Sequence, residues 1–203
     1  MDLKLTGKRV LVTGGNSGLG AAMVRAFAAE HARVAINYVA HPEQTTQLAA
    51  ELSAAGAEVL GLEADVSRAD AVAAMFLEID AAWGGLDVLV NNAGIDGQRS
   101  MAWEADAAAW SRVLQINLAG AYGVRVLCIA PGAIRTAINA EVWQDAAGQQ
   151  DLISKIAIGR VGEPQDVAGM AVVLASDIAS YVTGTSVFVD GGMTDYPAFS
   201  HGG

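Results

Sequence analysis

The sequence predicts an α/β fold, a doubly wound parallel sheet with helices on both faces, and three observations carry that expectation. Short apolar runs alternate with longer runs of helical spacing over residues 8–94. The short runs are continuously apolar rather than alternating, as strands buried on both faces must be. A glycine-rich turn, "TGGNSGLG" at residues 13–20, stands where the first strand gives way to the first helix.

Each element has its own justification. "KRVLVTG" (8–14) is an apolar run that ends at glycine, and "SGLGAAMVRAFAAE" (17–30) has its apolar residues at helical spacing. "ARVAINY" (32–38) is rich in residues that favour strands. "PEQTTQLAAELSAAG" (42–56) opens on a proline suited to a first helical turn and closes on a glycine suited to a C-terminal cap. "AEVLGLEADV" (57–66) reads as the third strand and "SRADAVAAMFLEIDAAWG" (67–84) as the next helix, with Ser67 as its N-cap. "LDVLVNNAG" (86–94) is the fourth strand. A helix over 105–121, a strand "VRVLCIAPG" (124–132), a helix over 164–175 and a last strand "SVFVDGG" (186–192) complete the series. Neither a repeat nor a linker divides residues 1–203, so one domain is expected.

Composition excludes several classes of function. With 22 acidic and 12 basic residues the net charge is −10, which leaves little to neutralise a row of phosphates, so no nucleic-acid partner is expected. The single cysteine, Cys128, lies in an apolar run and reads as a buried small hydrophobe. No secretory or membrane-spanning segment is read, and a cytoplasmic protein is expected.

The loops at the carboxyl ends of the strands carry the chemistry. Gly14, Gly18 and Gly20 allow a sharp turn and a close backbone approach to a pyrophosphate at a helix N-terminus. The second strand ends in Asn37, Tyr38 and Val39, neither acidic for a ribose hydroxyl nor basic for a 2′-phosphate, so NAD and NADP both stay open. Asp65 ends the third strand, where its carboxylate can accept from an adenine amino group. Asn91 and Asn92 end the fourth, where they can bridge loops or hold a ribose, and Gly94 lets the backbone pass close by.

Taken together, "TGGNSGLG", "NNAG", "INLAG", "IAPGAIRT" and "YVTGTSVFVDGG" resemble the short-chain dehydrogenase/reductase family, and the tail is most similar to the bacterial glucose 1-dehydrogenases. The resemblance implies an NAD- or NADP-dependent oxidoreductase that takes hydride from a small-molecule substrate, by this likeness the anomeric hydroxyl of glucose, and a homo-oligomer, commonly a tetramer. It places Gly14, Ser17, Gly18, Leu19 and Gly20 on the pyrophosphate; Asn37, from its position at the end of the second strand, is also read as part of the cofactor site. It further places Asp65 and Val66 at the adenine, Asn92, Ala93 and Gly94 at the ribose, and Pro131, Gly132, Ile134 and Thr136 toward the nicotinamide. Catalysis in the family uses Asn, Ser, Tyr and Lys, the Lys lowering the Tyr pKa so that a phenolate takes the hydroxyl proton. Asn117 in "INLAG" matches the Asn.

The other three have no match. None of the tyrosines, Tyr38, Tyr122, Tyr181 and Tyr196, has a lysine four residues on. The family pattern is interrupted at 122–123, where about fifty to sixty residues are expected to be missing, a central strand among them. Tyr122 with Arg125 is a poor substitute, since Arg125 would be held on a sheet face; Ser154 and Lys155 read as the solvated side of a helical stretch. A sheet contracted by one strand to six is expected, with the strand near Val124 moving into the vacated position. Two functions follow from this sequence. One is an oxidoreductase by descent; the alternative is a non-catalytic nucleotide-binding or oligomer-forming relative.

Overall fold

The computed structural model describes residues 2–94, 125–139 and 146–194. Its first sheet has four parallel strands, β1 (Arg9–Val12), β2 (Arg33–Tyr38), β3 (Val59–Glu63) and β4 (Val88–Val90), in the order β3-β2-β1-β4. Val10 stands opposite Val34 on one side and Val88 on the other. The chain steps outward from β1 through β2 to β3, then returns to the far side of β1. That reversal opens a crevice between β1 and β4 at the carboxyl ends, where an open α/β sheet holds its ligand.

Alternate side chains of these strands enter two separate cores. Val10, Val12, Val34 and Ile36 meet α1 (Gly18–Ala29), whose Val24 and Phe27 are fully buried, and α5 (Pro164–Ala175), which contributes Ala168, Ala171 and Val172. On the opposite face Leu11, Ala35 and Leu62 meet Met75, Ile79 and Trp83 of α3 (Ala69–Trp83). Helices therefore cover both faces, as the continuous apolar strands predict. The small residues of α5 let it lie directly along α1.

Helix ends follow the expected chemistry with one exception. α2 (Pro42–Ala54) begins on its proline, and Gly56, two residues beyond its end, has φ of +90°. Gly84 ends α3 in the left-handed region. Ser67, however, does not cap α3. That position belongs to Arg68, and Ser67 instead donates through its N–H and hydroxyl to Asp65 Oδ1, at 2.9 and 2.7 Å. Cys128 is exposed rather than buried, because the strand that carries it is covered on one face only among the described residues. The sequence-read helix over 105–121, with Asn117 and Tyr122, lies outside the described residues.

The larger correction concerns the sheet. β5 (Leu127–Pro131) and β6 (Thr185–Val189) pair in parallel with Ile129 opposite Val187, and they form a second sheet of two strands. The described residues form six strands, and among them β5 does not move in beside β4. Its position is set from α5. The Arg125 guanidinium donates to the carbonyl oxygens of Leu174 and Ala175 at the end of that helix and of Ser176 and Ala179 just beyond it, and Ile129 packs against the α1–α5 core. Ser154 and Lys155 behave as expected. Ser154 ends α4 (Ala146–Ser154), and Lys155 Nζ reaches Asp151 at 2.7 Å in solvent. No described helix is long and apolar enough to cross a membrane.

Candidate functional site

The turn after β1 is shaped by contacts that only glycine allows. A Cβ on Gly20 would lie 2.2 Å from the Gly14 carbonyl oxygen and 2.7 Å from Asn92 Nδ2. Gly14 and Gly18 adopt φ of +59° and +51°, and the space beside Gly18 is open. The first bond of α1 runs from Ala21 N to Ser17 O, so the N–H groups of Gly18, Leu19 and Gly20 precede it. Ser17 makes no side-chain cap, and the first turn of α1 carries no acid. By contrast α2, α3 and α5 each place an acid there, Glu43, Asp70 and Asp166. The positive end of α1 is thus left for an external anion, and the open backbone at Gly18 gives a pyrophosphate room to approach. These residues fit a dinucleotide.

Three side chains hold the turn. Thr13 Oγ1 donates to Val90 O and accepts from the N–H groups of Asn92 and Ala93, at 3.0 and 2.9 Å. Asn92 Nδ2 donates to the carbonyl oxygens of Thr13 and Gly14, at 2.9 and 3.1 Å. This network joins the ends of β1 and β4 across the crevice. Asn37 acts from the other side. It is fully buried, donates to Leu62 O and Ala64 O, and accepts from Gly14 N. Its amide is committed to bracing β2, β3 and the turn. A buried amide has few bonds to spare, and here they are used inside the protein.

Two residues outside the sequence-derived set matter here. Thr13 is the hinge of the network just described. Asn16 Nδ2 donates to Ala40 O at 2.8 Å and so fixes the loop after β2, the stretch nearest the choice between a ribose hydroxyl and a 2′-phosphate. The signal for Asn16 is its place in a turn between a strand and a helix, where a short amide readily bonds neighbouring backbone. Val39 and Ala40 are exposed in that loop, and His41 pairs with Glu43 at 3.1 Å.

Asp65 and Val66 are exposed after β3, and the Ser67 hydrogen bonds hold the Asp65 carboxyl below its ordinary range. Pro131 ends β5, Gly132, Ile134 and Thr136 follow it, and no hydrogen bond among the described residues joins them to the glycine turn. Gly132 packs against Asp190 so closely that a Cβ would lie 2.6 Å from its Cα. The Ile134 side chain is buried against Gly162, which leaves its backbone as the group it can offer. Thr136 Oγ1 donates to Asn139 Oδ1 at 2.8 Å. Beside this loop lies a cavity of about 370 Å³ whose walls include Ile158, Arg160, Phe188 and Asp190. Hydrogen bonds from Thr194 and Gly192 keep Asp190 ionised below its ordinary range. No group of acids, histidines and cysteine that could hold a metal occurs among the described residues.

A crevice at the carboxyl ends of a doubly wound sheet, floored by a glycine turn and a bare helix terminus, defines a dinucleotide-binding class of protein. Within that class the chain belongs to the short-chain dehydrogenase/reductase family of oxidoreductases. The profile of the short chain dehydrogenases matches residues 8–122, and a profile described as Enoyl-(Acyl carrier protein) reductase matches residues 119–194. The 3beta-hydroxysteroid dehydrogenase 1 of Eggerthella lenta is 36% identical over 259 positions, which span 99% of this chain and 98% of that protein. Glucose 1-dehydrogenase 2 of Bacillus subtilis is 30% identical, over 96% of this chain and 97% of its own length. A crystal structure of a gluconate 5-dehydrogenase from Burkholderia cenocepacia, in complex with NADP and tartrate, superposes with a TM-score of 0.80 at 25% identity, covering 96% of this chain and 98% of that one. An alignment 259 positions long holds at most the 203 residues of this chain, so at least 56 positions of the first relative face nothing here. The two profiles meet at residues 119–122, beside Tyr122 and Gly123.

Proposed function

We propose that residues 1–203 form one nicotinamide-dinucleotide-binding domain that descends from a short-chain dehydrogenase/reductase and binds NAD or NADP without sustained turnover. The observation that carries this reading is the bare, acid-free start of α1 above a turn where Gly20 has no room for a Cβ. Gly14, Ser17, Gly18, Leu19 and Gly20 surround the pyrophosphate. Asp65 and Val66 flank the adenine, and Asn92, Ala93 and Gly94 the ribose. Pro131, Gly132, Ile134 and Thr136 stand on the nicotinamide side, and Asn117 is the one match to the catalytic set. When bound, the dinucleotide supplies the hydride acceptor. The proton acceptor is what the sequence lacks, since no tyrosine stands four residues before a lysine.

The substrate class of the ancestral reaction is a small molecule with a hydroxyl on a ring. A 3β-hydroxysteroid, glucose, L-rhamnose and cis-4-hydroxycyclohexanecarboxylate name the relatives that support this class. Glucose is the particular sugar suggested by the tail. A homo-oligomer in the cytoplasm completes the reading.

Titration of NADH and NADPH fluorescence, on protein shown to be folded by circular dichroism, tests it. Saturable binding with no reduction of NAD or NADP by glucose is the expected outcome. No binding at millimolar cofactor would overturn the cofactor site. Sustained reduction would overturn the loss of turnover, and Tyr122→Phe would then be the variant to measure.

A further inference from the structure

Two amides stand beside the end of β2, and the fold uses them differently. Asn37 spends both ends of its amide inside the protein. Asn16, half-buried in the glycine turn, spends only one. Its Nδ2 donates to Ala40 O and His41 O, at 2.8 and 3.3 Å. Turning the amide over would set its oxygen against two carbonyl oxygens, so the orientation is fixed. Oδ1 is left as an acceptor that no described residue occupies.

With a pyrophosphate at the start of α1 and an adenine at Asp65, the adenosine ribose crosses the end of β2. That strand lies between β1 and β3, about 4.8 Å from each, and its end continues into the loop that Asn16 holds. Charge at this edge favours one sign. Arg25 is paired with Glu51 and Arg68 with Asp70, while the His41 ring meets Glu43 at 3.1 Å. Glu63, exposed at the end of β3 opposite Tyr38, and Asp65 have no ion-pair partner among the described residues. The other basic residues of 2–94, Lys4, Lys8, Arg9 and Arg33, precede or open β1 and β2 at the far end of the sheet.

We infer that this chain selects NAD over NADP, and that Asn16 Oδ1 accepts from the ribose 2′-hydroxyl. The inference rests on the proposed cofactor site and adds the residue that discriminates within it. A hydroxyl has a hydrogen to donate to Oδ1. A 2′-phosphate has none at neutral pH and brings about two negative charges. It would meet Oδ1, Glu63 and Asp65 with no unpaired basic side chain among the described residues of this edge to offset them.

Fluorescence titration of the intact chain with NADH, NADPH and the 2′-deoxyadenosine analogue of NADH tests this. NADH should bind at least about tenfold more tightly than NADPH, and the difference should shrink as salt screens the exposed carboxylates. Removing the 2′-hydroxyl should weaken binding about fivefold, the worth of one neutral hydrogen bond. Asn16→Ala should then bind NADH and the deoxy analogue equally. Had Asn16 only anchored the loop, the variant would weaken both in parallel and keep the fivefold ratio. Val39→Arg, at a position 60% exposed in the same loop, should tighten NADPH about tenfold and leave NADH nearly unchanged. Three results would overturn the inference and leave the cofactor site standing: NADPH as tight as NADH, an unchanged deoxy ratio in Asn16→Ala, or NADPH indifferent to Val39→Arg. Failure of both cofactors to bind protein shown to be folded would instead overturn the cofactor site itself.

Discussion

The glycine turn after β1 and the strand pair β5–β6 differ in how many elements hold them. The turn is tied from β2 by Asn37, and from the end of β4 by Asn92, with Thr13 between. The β5–β6 pair is tied chiefly to α5, by Arg125 and by Ile129 against the core that α5 shares with α1. A region braced by many short-range contacts keeps its geometry when a distant stretch is lost. One hung from a single helix keeps its place only as long as that helix does. Cofactor binding is therefore expected to survive in this chain, and the side of the crevice where chemistry occurs is not.

Breaking the better-braced region should have the largest effect. Asn37→Leu strands the Gly14 N–H and the Leu62 and Ala64 carbonyls in a buried setting, and should cost about 3 kcal/mol in urea unfolding. NADH binding should be lost with it. Next comes Gly20→Ala, whose added Cβ must displace the Gly14 carbonyl. The loss of stability should be about 2 kcal/mol and the NADH affinity should drop sharply, while Cys128 reactivity stays unchanged. Arg125→Met tests the other region by keeping the aliphatic stem but removing the donors to four carbonyl oxygens. About 1–2 kcal/mol should be lost, with faster hydrogen exchange in β5 and unaltered NADH affinity.

The smallest effect separates the two regions by pH. Hydrogen bonds from the Arg9 guanidinium hold Asp87 at about 2, and Arg160 does the same for Asp166, both below the ordinary 3.8. A carboxyl lowered on folding stabilises above its unfolded pKa, and that contribution is lost as pH falls from about 4 through about 2. Both pairs are partly exposed, so each should contribute under about 1 kcal/mol. Asp87→Asn should flatten the acid limb of unfolding in the first sheet, and Asp166→Asn that of α5. Equal effects of both variants on both regions would erase the distinction.

Local signals make the nucleotide end legible in the sequence. Pro42 and Gly56 bracket α2, the apolar spacing of residues 164–175 matches α5, and the turn at 13–20 falls where β1 meets α1. Features that depend on distant partners are not legible in this way. Asn37 reads as available because it stands near a strand end at the crevice, yet its amide is spent on Leu62, Ala64 and Gly14. Cys128 reads as buried because its neighbours are apolar, and no sequence pattern says whether a sheet face is covered. Edge strands seek partners, which favours β5 beside β4, yet β5 pairs with β6 in a separate sheet and its start is held by Arg125.

Arg125 has a further consequence. It lies just before β5, and among the described residues its grip on four carbonyls fixes the start of that strand from downstream. The strand that follows takes its register from β6, with Ile129 opposite Val187. Such an anchor makes the junction a natural seam, a place where a gene can lose or gain residues while the piece beyond keeps its fold.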